Sequence, residues 1–145
     1  MRRFAFALTL AAPALLCTSC ARTGEKPLYP VRGQVLYQGK PAKGALVVFH
    51  PLGDKPAADA PNPHAEVAED GSFTLTTAVP QDGAAAGEYA VTVEWWRSRA
   101  ALGRRDIDQP PLNLLPPRYA SAQTSKLKVR VTEGENQLQP LNLTR

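Results

Sequence analysis

At 145 residues, the chain is long enough for one compact domain with a single hydrophobic core, but not for two. Two of its 17 Lys and Arg residues, Arg2 and Arg3, lie in an N-terminal leader, which leaves 15 basic residues against 13 acidic ones. A surface with charges so nearly balanced lacks the basic patch of a nucleic-acid-binding protein, so we expect neither DNA nor RNA as a partner.

The first 19 residues have the anatomy of a bacterial signal peptide. Arg2 and Arg3 form a short positive region, residues 4–16 are apolar, and small residues precede Cys20. As a helix, the apolar stretch would reach only about 20 Å, short of the roughly 30 Å hydrocarbon core of a bilayer, and Pro13 interrupts it. We therefore expect a cleaved leader over residues 1–19 rather than a permanent transmembrane anchor.

The end of the leader resembles the bacterial lipobox, in which small residues precede a cysteine that is linked to diacylglycerol. The matching segment is Leu16-Cys17-Thr18-Ser19-Cys20, and the resemblance implies that Cys20 is the lipidated residue. Cys17 is the poorer acceptor because it would follow the bulky Leu16. The alternative is an ordinary secretory signal cut near Ala21, which would leave no lipid.

Lipidation at Cys20 implies an extracytoplasmic protein of the cell envelope whose first partner is membrane lipid. Acyl chains such as palmitate would hold it firmly, because each buried methylene contributes about 0.8 kcal/mol. Ala21 is not the Asp that retains lipoproteins at the inner membrane of some diderm bacteria, so the outer membrane is favoured in such a cell. Residues 20–30 form the lipidated residue and its tether, and residues 31–145 form the domain.

The domain sequence predicts an antiparallel β-sandwich of about seven strands, because short alternating or apolar runs are separated by turn residues. The first two predicted strands are expected to form a hairpin, and Asp70-Gly71 is expected to form a type I′ turn within a second hairpin. Residues 97–117 lack a strand pattern and are predicted to be a long loop. The predicted strands cover residues 31–37, 45–50, 65–68, 72–76, 88–96, 126–131 and 137–143.

Three motifs in the domain resemble the carboxypeptidase regulatory-like domain, a transthyretin-like (prealbumin-type) β-sandwich. They read Gly33-x-Val35-x-x-x-Gly39-x-Pro41-x-x-Gly44-Ala45-x-Val47, Asp70-Gly71-x-Phe73-x-Leu75 and Gly87-x-Tyr89-x-Val91-x-Val93. The tail from Leu115 through Val131 is similar to that of small bacterial lipoproteins carrying this domain. The resemblance implies glycines in tight turns and a Tyr89 hydroxyl that fixes a strand corner. It implies architecture rather than peptidase activity.

No catalytic constellation accompanies these motifs. The two histidines, His50 and His64, stand in no His-x-x-Glu or His-Glu-x-x-His arrangement, so we expect no metal and no other cofactor. Transthyretin-like hydroxyisourate hydrolases end in Tyr-Arg-Gly-Ser, whereas this chain ends in Asn142-Leu143-Thr144-Arg145. We therefore expect that the protein is not an enzyme.

The candidate ligand-binding residues are Trp95, Trp96, Arg97 and Arg99. Strand alternation sends Trp95 inward and Trp96 outward, where an exposed indole beside guanidinium groups can stack on a sugar ring. Alternatively, Trp96 covers the sandwich edge while the arginines stay in water. The favoured function is a non-catalytic envelope lipoprotein making structural or protein–protein contacts with an unidentified envelope protein. The alternative is a carbohydrate-binding module that binds polysaccharide through these residues and the following Arg-rich loop.

Overall fold

The computed structural model describes residues 26–53, 61–96 and 112–145. Most of these residues form strands or the turns between strands, and a single turn of 3-10 helix covers Pro117–Ala120. None of the described residues forms a helix with the length and hydropathy of a membrane span. The strands are β1 (Leu28–Tyr29), β2 (Val31–Tyr37), β3 (Lys40–Pro41), β4 (Leu46–Pro51), β5 (His64–Glu66), β6 (Ser72–Thr74), β7 (Ala84–Ala85), β8 (Gly87–Glu94), β9 (Leu127–Val131), β10 (Asn136–Gln137) and β11 (Leu141–Leu143).

The strands form an all-β sandwich, which confirms the predicted fold class. One sheet is antiparallel throughout, with the strand order β5-β4-β8-β9. The other is built around β2, which pairs with β3 and β6 in antiparallel fashion and with β10 and β11 in parallel fashion. A short antiparallel ladder joins β1 to β7.

Aromatic rings from both sheets meet in the core. The Phe49 ring of β4 lies 6.3 Å from that of Phe73 in β6 and 5.7 Å from that of Tyr89 in β8, measured between ring centroids. Gly33 makes room for Phe73, because a Cβ at this position would lie 2.6 Å from the Phe73 Cζ atom. Tyr89 also donates its hydroxyl to the Ala85 carbonyl at 2.8 Å, which fixes the start of β8 as the sequence predicts. Burial raises the pKa of this hydroxyl.

The predicted first hairpin is wrong, because β2 and β4 lie in different sheets. β2 turns instead through Gln38 and Gly39 into the two residues of β3. Both turn residues have positive φ, +51° and +77°, as a type I′ hairpin requires. Beyond Pro41, the Ala42 N–H still donates to the Val35 carbonyl at 3.2 Å, but the Val35 N–H donates to the Gly71 carbonyl at 2.8 Å instead of to Ala42. The pairing with β2 ends there, and the chain crosses to the other sheet as β4.

The predicted type I′ turn at Asp70-Gly71 is also wrong. The Gly71 N–H donates to the Ala68 carbonyl at 3.0 Å, so the central residues of the turn are Glu69 and Asp70. Of the turn residues only Gly71, with φ +86°, is in the left-handed region. The two arms of the turn do form the predicted hairpin, because His64 and Thr76 form an antiparallel bridge and the Ala68 N–H donates to the Ser72 carbonyl at 2.8 Å. Since β5 also pairs with β4 and β6 with β2, this hairpin links the two sheets.

The sandwich has two distinct ends. At the tether end, β1 pairs with β7, which is separated from the first residue of β8 by Ala86 alone. At the far end, the last residue of β2, Tyr37, meets Trp95, which follows β8; their ring centroids are 6.2 Å apart. The run from Gly87 to Trp96 spans about 30 Å at about 3.3 Å per residue. The chain therefore enters the domain at one end, and both tryptophans lie at the other.

Candidate binding surface around Trp96

Trp95 is a structural residue at the far end of the sandwich. Its side chain is half-buried and packs against the core, with its ring at 79° to that of Tyr37. The indole N–H donates to the Lys43 carbonyl at 2.8 Å, which joins the end of β8 to the turn before β4. The inward orientation agrees with strand alternation. These contacts leave Trp96 as the tryptophan whose ring is open to a ligand.

Trp96 lies on the outer face with 45% of its surface exposed. Its indole N–H donates to Glu94 Oε2 at 3.2 Å, so the ring is held beside a carboxylate on the same face of the strand. The Cα partner of Glu94 across the ladder is Leu46, which is also exposed. We call these residues, together with the exposed Leu112, the Trp96 surface.

Asn113 fixes the backbone behind this surface. Its Oδ1 atom accepts hydrogen bonds from the Trp95 N–H at 3.1 Å and from the Leu115 N–H at 3.0 Å. The Leu114 N–H donates to the Trp95 carbonyl at 2.7 Å, and Trp96 and Asn113 form an antiparallel bridge. Asn113 was not among the residues predicted from the sequence. The signal available was only an Asn at the end of a long loop, where its amide can accept backbone N–H groups.

Of the predicted site residues, the structure describes Trp95 and Trp96. Arg97 and Arg99 lie outside the described residues, as does the lipidation candidate Cys20. The structure thus places Trp95 and Trp96 on opposite faces, one in the core and one in solvent.

Each of the two histidines bonds to a different neighbour. His50 Nε2 lies 2.9 Å from Thr92 Oγ1 on the outer face of the β4–β8 pair, and Thr92 itself is buried. The exposed His64 places Nδ1 3.1 Å from the Asn62 carbonyl oxygen. Across residues 26–53, 61–96 and 112–145, no three His, Cys, Asp or Glu side chains group together as a metal site would require.

Arg118 and Tyr119 attach the 3-10 turn to the end of the last strand. Arg118 Nη2 donates to the carbonyls of Thr144 and Arg145 at 2.7 and 2.8 Å, and its guanidinium lies 4.8 Å from the centre of the Tyr119 ring. The buried Tyr119 hydroxyl accepts from the Thr144 N–H at 3.0 Å. Burial raises the pKa of Tyr119, but its hydrogen bonds with Thr144 and Arg118 and the Arg118 charge together lower the pKa below its ordinary value. This guanidinium therefore holds the C-terminal strand in place.

The carboxylates of the turn between β5 and β6 bond to nearby residues. Asp70 accepts from the hydroxyl and the N–H of Ser72 at 2.6 and 2.9 Å, and these bonds lower the pKa of Asp70. Glu69 pairs with Lys43, and the hydrogen bond and charge of Lys43 lower the pKa of Glu69. Asp70 is thus part of the turn itself.

No protein-family model matches the chain, and no curated protein matches it. The resemblance to the carboxypeptidase regulatory-like domain therefore stays a prediction.

Proposed function

We propose that the protein is a non-catalytic, lipid-anchored module of the bacterial cell envelope. It is attached through acylated Cys20 and makes protein–protein contacts at the end of the sandwich farthest from the anchor. The observation that carries the proposal is the separation of the two ends. The described chain begins beside β1, and the Trp96 surface lies about 30 Å away along β8.

The length of the tether supports this arrangement. A chain spans at most about 3.6 Å per residue, so the path from Cys20 to Lys26 covers no more than about 20 Å. The tether end is therefore kept close to the bilayer, whereas the Trp96 surface projects toward whatever lies beyond it. A partner in the envelope can reach this surface without approaching the lipid.

The local bonding of the reactive side chains supports a non-catalytic role. His50 bonds to the hydroxyl of Thr92, and His64 bonds to a backbone carbonyl. Among residues 26–53, 61–96 and 112–145, no carboxylate orients either histidine, as a carboxylate commonly orients the base of a hydrolase. The predicted carboxypeptidase regulatory-like architecture would agree with this role, because that module is a folding unit without catalytic residues.

The anchor is tested by fractionating cells that express the full-length chain and by following incorporation of labelled palmitate. We expect the wild-type protein in the membrane fraction with label, and the Cys20→Ala variant without label in the soluble fraction. Cys17→Ala is the matched control, because it keeps a small residue three positions before the acceptor, and it should behave as wild type. A Cys20→Ala protein that stays in the membrane would contradict lipid anchoring.

The exposed indole of Trp96 favours carbohydrate binding as a second candidate function. A sugar ring stacks on an aromatic face through its C–H groups, and the adjacent Glu94 carboxylate can accept hydrogen bonds from sugar hydroxyls. In a pull-down with envelope polysaccharide, we expect the wild-type protein to be recovered with the polysaccharide and the Trp96→Ala variant to remain unbound. Val79→Ala, an exposed apolar change at the tether end, is the control. Binding that survives Trp96→Ala would reject this site.

A further inference from the structure

Exposed apolar side chains occur at the tether end as well as at the far end. Leu52 is 44% exposed and Val79 is 59% exposed. Leu52 directly follows β4, and its N–H donates to the carbonyl of Glu88 at 2.7 Å, beside the start of β8. Val79 lies in the turn that leads to Gly83, whose Cα is in close contact with the backbone of Tyr29 in β1. Both side chains therefore belong to the end at which the tether meets the domain.

The backbone holds Val79 in its exposed position. Its N–H donates to Asp82 Oδ2 at 2.8 Å, and its carbonyl accepts from the Asp82 N–H at 3.2 Å. A turn fixed on both sides presents the same side chain outward in every molecule. Single exposed apolar residues are common on protein surfaces, but this one lies at the end that a lipid anchor would bring to the membrane.

We propose that the tether end of the domain rests on the lipid surface, with Leu52 and Val79 inserted among the headgroups. The inference rests on lipid anchoring at Cys20. It goes beyond anchoring because it assigns the domain one orientation, with the Trp96 surface pointing away from the bilayer. The short tether makes such a contact effective, since it keeps the two side chains at high local concentration near the membrane.

The charges at this end are mixed. Lys26 lies at the start of the described chain, Glu88 and Arg130 form an exposed pair with 3.7 Å between Oε1 and Nε, and Glu133 and Glu135 lie in the turn before β10. Acidic and basic groups together give no attraction to anionic lipid over neutral lipid. The apolar side chains therefore supply the contact, and raised salt should leave it unchanged.

The test uses the full-length lipidated protein in phosphatidylcholine vesicles that contain brominated lipid, which quenches nearby fluorophores. Cys17 and Cys20 are the two cysteines of the chain, so a new cysteine provides a single site for an environment-sensitive fluorophore once the leader is removed and Cys20 is acylated. We expect loss of fluorescence for the probe at Leu52→Cys and at Val79→Cys. The probe at Leu112→Cys, an exposed position at the far end, should keep its fluorescence. Quenching at Leu112 equal to that at Val79 would overturn the proposed orientation.

A further variant separates insertion of the two side chains from simple proximity of the tether. A probe at Lys26→Cys is expected to be quenched in the wild-type background and to lose much of that quenching when Leu52 and Val79 are both changed to Ser. Unchanged quenching would mean that the tether alone holds this end at the membrane, which would overturn the role of the two side chains.

Flotation of the vesicles distinguishes the failure of this inference from that of the anchor. Protein that floats with the vesicles but shows no quenching at positions 52 and 79 is anchored without the proposed contact. Protein that does not float lacks the anchor, and both proposals then fail.

Discussion

Asp82 closes the turn between β6 and β7 by accepting three backbone hydrogen bonds. Oδ1 accepts from the Thr77 N–H at 2.6 Å, and Oδ2 accepts from the Ala78 and Val79 N–H groups at 2.8 Å each. Burial raises the pKa of Asp82, but the hydrogen bonds from Val79, Thr77 and Ala78 together lower it below its ordinary value. The stability that this carboxylate contributes is therefore fully present above the ordinary Asp pKa and is lost as the pH falls through the lowered one.

We expect the Asp82→Asn variant to be less stable than wild type at neutral pH by about 1–2 kcal/mol, the range found for side chains that cap backbone N–H groups. The difference should shrink on acidification, because protonation removes the wild-type advantage. Urea unfolding measured from about pH 7 to pH 2 checks this. Ser121→Ala, which removes a hydroxyl that donates to the uncharged Gln123 amide and leaves the Asp82 turn intact, serves as the control. A stability difference that does not change with pH would contradict the assignment.

Asn136 shows how far one residue can be interpreted from sequence alone. Gly134, Glu135 and Asn136 lie between the predicted strands 126–131 and 137–143, where a turn is expected, but the amide of Asn136 does more than form that turn. Oδ1 accepts from the Thr132 N–H at 2.9 Å, and Nδ2 donates to the carbonyls of Thr132 and Gly134, each at 2.9 Å. The Asn136 N–H also donates to the Pro30 carbonyl at 2.9 Å. Sequence patterns identify the turn because it is local, whereas they cannot identify a partner 106 positions away.

At the scale of elements, Gly83 sets how closely the β6–β7 connection approaches β1. Its φ is +88°, and a Cβ would lie 1.8 Å from the Tyr29 carbonyl oxygen and 2.9 Å from the Pro30 Cα. Both atoms belong to the backbone, so they cannot move aside as a flexible side chain can. Alanine at this position would force β1 away from β7, and the pairing of Leu28 with Ala85 would be lost.

We expect Gly83→Ala to destabilise the protein by about 3–5 kcal/mol, in the range of the most damaging single substitutions. Gly134→Ala is the matched control, because Gly134 has a similar φ of +95° but nothing within 4 Å of its Cβ position. Gly134→Ala should lower the free energy of unfolding only by the backbone strain of a positive φ, about 1–2 kcal/mol. Chemical denaturation gives both values, and hydrogen exchange at Leu28 and Tyr29 reports the opening of β1. Equal costs for the two variants would show that the close approach contributes nothing.

The longer strands could be predicted from sequence, but the two-residue strands β1, β3 and β7 were missed, and the predicted strand 137–143 is divided into β10 and β11. The assignment of strands to sheets could not be predicted either. Alternation placed Tyr89, Val91 and Val93 on one face of β8, and all three are buried. The same reasoning joined β2 to β4 because a turn separates them, yet they belong to opposite sheets. Alternation reports which face of a strand is buried, and both sheets bury their inner faces in the same core. The alternation of buried and exposed residues is therefore the same for two strands that form a hairpin and for two consecutive strands that lie in opposite sheets.

At the scale of the whole molecule, one hydrophobic core connects the tether end of the sandwich to the far end. Outward orientation of Trp96 was predictable from alternation, whereas its distance from the tether depends on strand directions that only the structure provides. One hydrophobic cluster runs without interruption from Val31 and Ala84 near the tether end to Leu115 and Tyr119 near the far end. Contacts at either end therefore depend on the same packing, and neither end forms an independent unit.

We expect the two ends to unfold together. In a Cys17→Ala, Cys20→Ala, Trp96→Phe background, Trp95 fluorescence reports the far end, because Trp95 is then the remaining tryptophan of the chain and neither native cysteine competes for a label. A fluorophore on Val79→Cys reports the tether end in the same protein. Because both probes sit on one core in a domain of fewer than about 150 residues, their urea transitions should have the same midpoint and the same slope. An early transition at position 79 alone would mean that the tether end melts locally, and the membrane contact proposed for Leu52 and Val79 would then lack a rigid support.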